Sequence, residues 1–142
     1  MNTNASKTKT GYGRWLLVGL LVGPMAFWYL ASPVVAVNFS HEGKDEFRYI
    51  WNTQHQIYKG DMPAGGGSAV EWGQIFPDKD FFMRFDWWTD KGFQRCFYVT
   101  PKWGRMIDIY LDDKGRVDTA ATNHDVIARL KQCAGEPDPF RS

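Results

Sequence analysis

Residues 15–37, WLLVGLLVGPMAFWYLASPVVAV, contain no charged side chain. At about 1.5 Å per residue a helix of that length reaches across a hydrocarbon layer roughly 30 Å thick. The run therefore separates a membrane-entering segment from a remainder that must bury its own core. Lys7, Lys9 and Arg14 precede it and no acid occurs before Glu42. Such an excess of positive charge holds a short flank in the cytoplasm and sends the downstream chain across. The expected organisation is a cytoplasmic tail at 1–14, a transmembrane signal-anchor helix at 15–37, an extracytoplasmic domain at 38–135 and a flexible C-terminal tail at 136–142. The expected location is the inner (cytoplasmic) membrane, single-pass, with the C-terminal domain in the periplasm or outside. Val34 and Ala36 stand at the small-residue spacing that signal peptidase reads, so a cleaved signal is the alternative. The run exceeds the apolar core of about 7–15 residues usual in signal peptides, which favours a retained anchor.

The rest of the chain suits one globular domain, since 44% of all residues are hydrophobic and 23% charged. With 17 Lys and Arg against 16 acids, the net charge of +1 offers no concentrated basic face for phosphates, so no nucleic-acid partner is expected. Short β-branched or aromatic runs separated by turn residues read as strands near 37–40, 46–52, 54–58, 68–74, 81–88, 93–100, 106–112 and 116–119. Pro63-Ala-Gly-Gly-Gly-Ser68 reads as a loop. The fold class is mainly β: an antiparallel β-sandwich of about seven or eight short strands with a short C-terminal helix, preceded by one transmembrane helix.

Two turns fix the register. Asp90-Lys91-Gly92 and Asp113-Lys114-Gly115 each present an Asp to open a type I turn and a Gly for the left-handed position of a three-residue hairpin loop. A loop at 90–92 pairs Thr89 with Phe93, Trp87 with Arg95, Phe85 with Phe97 and Met83 with Val99. Directly opposed residues share a face, so Phe81, Met83, Phe85, Trp87, Phe93, Phe97 and Val99 form a core side. The stem of Arg95 is expected to lie over Trp87 at the rim. The other side carries Arg84 with Tyr98, Asp86 with Cys96, and Trp88 with Gln94. The second loop pairs Leu111 with Val117 and Tyr110 with Asp118, turning Ile107, Ile109 and Leu111 inward.

Thr122-Asn-His-Asp125 resembles a capped helix start, and Val126, Ile127, Leu130 and Cys133 come next at helical spacing. A helix there would cover the outer side of the first hairpin and bring Cys133 to Cys96. The chain has two cysteines and an oxidising compartment is expected, so they are expected to form a disulfide.

Chemistry-bearing groups are sparse. His41, His55 and His124 lack metal-ligand spacing. Asp108, Asp112, Asp113 and Asp118 gather at the second hairpin without the alternation of a calcium loop. Ser40 and Ser68 lie in no nucleophile elbow. No catalytic residue, cofactor or metal is therefore expected. The aromatic excess stands out, with seven Trp, six Tyr and ten Phe. Trp51, Trp72 and Trp103 are expected in the core, while the register puts Trp88 outside. Trp88, Arg84, Tyr98 and Gln94 are the expected partner-binding residues, since Trp, Tyr and Arg anchor interfaces. The functional expectation is a membrane-anchored periplasmic protein-interaction module, such as an immunity or inhibitor protein or an envelope-assembly subunit. A glycan- or lipid-binding module is the alternative, and a small hydrolase a lesser one.

Overall fold

The computed structural model describes residues 11–92 and 94–140. Lys7, Lys9 and Phe93, together with the Thr89–Phe93 pair, fall outside the described residues or depend on them. The chain divides into two units, Met1–Ala31 and Ser32–Ser142.

In the first unit, helix α1 spans Gly11–Ala31, and its portion Tyr12–Ala31 is long and apolar enough to cross a membrane. The uncharged run thus does not belong to one element. Pro33 disfavours helical backbone at the residue before it, and Val34–Phe39 forms strand β1. A continuous apolar run is also what a strand looks like when both its faces and both its edges are covered. Strand β1 has both edges paired and Val35, Ala36 and Val37 buried, while Val34 and Asn38 on its outer face stay partly exposed.

The second unit is mainly β. Its further elements are β2 (Phe47–Thr53), β3 (Ile57–Met62), β4 (Gly67–Trp72), β5 (Met83–Trp88), β6 (Gln94–Val99), β7 (Met106–Leu111), helix α2 (His124–Ile127) and β8 (Leu130–Gln132). They form a three-stranded sheet ordered β4-β1-β7 and a five-stranded sheet ordered β3-β2-β5-β6-β8. The expectation of purely antiparallel pairing fails at one place: β1 and β7 run parallel, Val34 opposite Met106 through Phe39 opposite Leu111. A parallel pair needs a long crossover, and most of the five-stranded sheet supplies it.

One core cluster draws on both sheets: Val35, Val37, Ile107 and Ile109 from one, Trp51, Phe85, Trp87 and Phe97 among those from the other. Phe85 is its hub, with ring centroids 4.7 Å from Trp51, 5.4 Å from Trp87 and 5.6 Å from Phe97. The hairpin register is the one its turn chemistry implies: Met83 pairs with Val99, Phe85 with Phe97, Trp87 with Arg95, and Trp88 with Gln94. The second hairpin keeps its arithmetic too, in a Leu111–Val117 bridge and an Asp118 N–H donated to the Tyr110 carbonyl at 2.8 Å. Residues 116–119 add no further strand.

Two local readings change. The strand expected at 54–58 begins later, because Thr53 N–H closes a turn on the Gln56 carbonyl at 2.9 Å and pairing with β2 draws Lys59, Gly60 and Asp61 into β3. The C-terminal helix is a single turn, capped by Asn123 rather than Thr122, whose hydroxyl instead accepts from Tyr110 N–H. Leu130 to Cys133 leave the helix, and β8 pairs with the edge of β6. An unpaired sheet edge demands backbone partners, and that demand outweighs a helical pattern one turn long. Finally, within the C-terminal tail Pro139 is fully buried, its carbonyl accepts Val117 N–H at 2.9 Å, and Phe140 packs on the core.

Candidate functional site

Alternation along β2, β5 and β6 sends Arg48, Ile50, Asn52, Arg84, Asp86, Trp88, Gln94 and Tyr98 to the face opposite the core. The registers align them in rows: Asn52, Arg84 and Tyr98; Ile50, Asp86 and Cys96; Arg48, Trp88 and Gln94. All four residues singled out from sequence therefore share one face. Three of them, Arg84, Trp88 and Gln94, line an open depression of about 580 Å³ together with Ile57, Lys59 and Asp86, and Tyr98 stands outside it.

Asp86 is buried although it faces away from the core. Its carboxylate accepts from Arg84 Nε at 2.8 Å and Arg84 Nη2 at 2.6 Å. That hydrogen-bonded pair lifts the Arg84 guanidinium above its ordinary value, and burial, which acts the other way, does not cancel it. The guanidinium also lies 6.0 Å from the Tyr98 ring centroid. Arg84 is thus a flat guanidinium, its charge paired with Asp86, beside an aromatic ring. Trp88 is half-buried between Arg48 and Gln94, and Gln94 is exposed.

Cys96 and Cys133 stand at disulfide distance, with Cα atoms 5.6 Å apart. The approach arises differently from the expected helix cover. Phe97 pairs with Gln132 and Val99 with Leu130, so continuing the ladder by one step sets Cys96 opposite Cys133. Both are buried, and Cys96 pairs with Asp86 across β5 and β6.

Asp112 and Asp118 of the second hairpin serve its own backbone, while Asp108 accepts from Asn38 Nδ2 at 3.4 Å. Asp112 accepts from Lys114 N–H at 2.9 Å, Arg116 N–H at 2.8 Å and Arg116 Nε at 2.7 Å. Burial works to raise its pKa, yet these donors together win and hold the carboxyl below its usual range. Asp118 accepts from Ala120 and Ala121 N–H. Among the described residues, no group of three His, Cys, Asp or Glu is placed to hold a metal ion.

Trp51 is buried as expected, but Trp72 and Trp103 are exposed. The signal in β4 misleads, because Ser68-Ala-Val-Glu-Trp72 alternates with the wrong sense: Ala69 and Glu71 point inward and Val70 and Trp72 outward. Inward Glu71 is tolerable because Gln56 Nε2 donates to it at 2.7 Å and Trp72 N–H at 2.9 Å. For Trp103 a turn signal was present, since Trp103-Gly104 comes just after Pro101.

No protein-family model matches the chain, and comparisons with curated proteins and with solved structures give no match either.

Proposed function

We propose that the chain is a single-pass membrane protein whose α1 anchors it in the inner membrane and whose second unit, its two sheets packed face to face as a sandwich, works in the periplasm as a protein-interaction module. The observation that carries this reading is the outer face of the five-stranded sheet. It sets a half-buried Trp88 beside an open depression, flanked by an Arg84–Asp86 pair whose charges already cancel. Flat, low-entropy aromatic and guanidinium groups around a shallow hollow are the usual anchors of a protein interface. A partner seated there loses little desolvation energy to Arg84, which is already paired. An immunity or inhibitor protein and an envelope-assembly subunit are the two specific forms of this role.

Spacing weighs against a glycan platform made of Trp88 and Tyr98. Tyr98 pairs with Arg84, four strand residues from Trp88, a separation of about 13 Å that one sugar ring does not bridge.

The test is affinity capture from detergent-solubilised membranes with wild-type chain and Trp88→Ala. A stoichiometric protein partner with wild type, lost with Trp88→Ala, is the expected result. Equal capture by both excludes this face. A topology reporter fused after Ser142 checks the compartment: activity restricted to a cytoplasmic reporter would overturn the periplasmic placement.

A further inference from the structure

A second exposed aromatic surface lies elsewhere on the β unit, at the end where the chain enters it. Ser32 and Pro33 are buried there, and the Pro33 carbonyl accepts Gly73 N–H at 2.8 Å. A Cβ on Gly73 would stand 3.0 Å from Pro33 Cγ, 3.3 Å from Met83 Sδ and 3.3 Å from Pro101 Cβ. That close approach ties the loops at 73–82 and 100–105 to the first residues of the unit. Each carries an exposed aromatic side chain: Phe76 is 78% accessible and Trp103 57%. Trp103 occupies the apex of a turn closed by Arg105 N–H on the Lys102 carbonyl at 3.3 Å, with Gly104 taking the left-handed position at φ 65°.

The outer face of the three-stranded sheet is graded toward the same end. Its row beside Pro33 is Trp72, Val34 and Met106, and its far row is Ser68, Asn38 and Tyr110. Trp72 and Met106 are both more than half exposed. The inverted alternation of β4, which buries Glu71 and displays Trp72, builds this gradient.

We infer that the Pro33 end of the β unit is a membrane-contacting surface, with Phe76, Trp103, Trp72 and Met106 seated in the headgroup layer of the bilayer. The inference rests on reading α1 as a membrane span. Given that reading, covalent continuity chooses the occupant. Two residues separate the end of α1 at Ala31 from β1 at Val34, a reach of about 10 Å at most. The headgroup region on each side of the hydrocarbon is roughly 5–8 Å thick. Loops folded against Pro33 therefore have lipid within reach, and a protein bound at this end would have to fit between the unit and the bilayer. Exposed Trp and Phe are stable at that level because ring and headgroup are both amphipathic or polarisable. Lys102 and Arg105, on either side of Trp103, extend their charges to lipid phosphates while their stems lie along apolar surface. Asp78 and Asp80 share this end, so its charge is mixed and the rings rather than net charge drive the contact.

The experiment uses the full chain reconstituted in phosphatidylcholine vesicles, with bimane attached in separate preparations to Phe76→Cys, Trp103→Cys and, as the distant reference, Lys91→Cys. Iodide quenching at 76 and 103 is expected to be at least about three-fold weaker than at 91, because an ion is excluded from the headgroup–acyl boundary. Equal quenching at all three positions would overturn the inference. Alkaline carbonate extraction separates the two readings. Chain that resists extraction while 76 and 103 quench like 91 leaves the span standing and removes the lipid contact, whereas chain released by carbonate removes both.

Discussion

Trp87 and Trp88 are neighbours in sequence and opposites in environment. Trp87 is fully buried, stacked 5.4 Å from Phe85 and edge-on 5.3 Å from Phe97, and its indole N–H donates to the Gly115 carbonyl at 2.8 Å. Trp88 stands half-buried on the other face, in a row with Arg48 and Gln94. The inner face of the hairpin is fixed by close packing of buried rings. The outer face is fixed by a carboxylate–guanidinium pair and two cysteines at disulfide distance, interactions that hold a shape while leaving surface open. One face is closed around rings, and the other stays partly open to solvent.

The largest effect that sharpens this contrast is expected from Trp87→Ala, which should remove about 3–5 kcal/mol of stability in urea unfolding. A loss near zero would mean the inner face is not the core. Next is the double variant Cys96→Ala/Cys133→Ala. If the pair is oxidised, its loss should cost about 2–4 kcal/mol, since the cross-link restrains the unfolded chain. Alkylation of unreduced, denatured protein checks the premise, and two modified thiols would show that the outer face is held without a bond. Arg84→Ala should cost about 1–3 kcal/mol, because it leaves the Asp86 carboxylate buried without its charged donor. Adding Asp86→Asn should recover much of that loss, and failure to do so would locate the cost in the lost contact of Arg84 with Tyr98. Trp88→Ala comes last, with a stability change under about 1 kcal/mol and a loss of about 2 kcal/mol in partner affinity. A stability loss matching that of Trp87→Ala would abolish the distinction between the faces.

Turn chemistry and strand periodicity made much of this legible in the sequence. Asp-Lys-Gly loops of three residues specify both hairpins, and in β5 and β6 a one-residue slip would put Trp87 in water and Asp86 in the core. That register alone placed the candidate face, with Trp88, Arg84, Tyr98 and Gln94 on one side. The weaker readings were those in which a local pattern competes with a distant backbone. Val34 to Val37 carry the composition of a membrane segment, yet they lie between two other strands. Leu130 to Cys133 have helical spacing, yet the unpaired edge of β6 claims them.

What the sequence by itself determined is local: an uncharged run long enough for a membrane helix, two hairpin turns with their pairings, and which ring of Trp87-Trp88 faces inward. These depend on φ/ψ preferences and on side-chain alternation over a few residues. The tertiary structure alone decided the parallel union of β1 with β7 and the burial of Glu71 with Trp72 turned outward. Each of these depends on which backbone donors, acceptors and charges from remote segments become neighbours once the sheets form, and no short-range pattern encodes that.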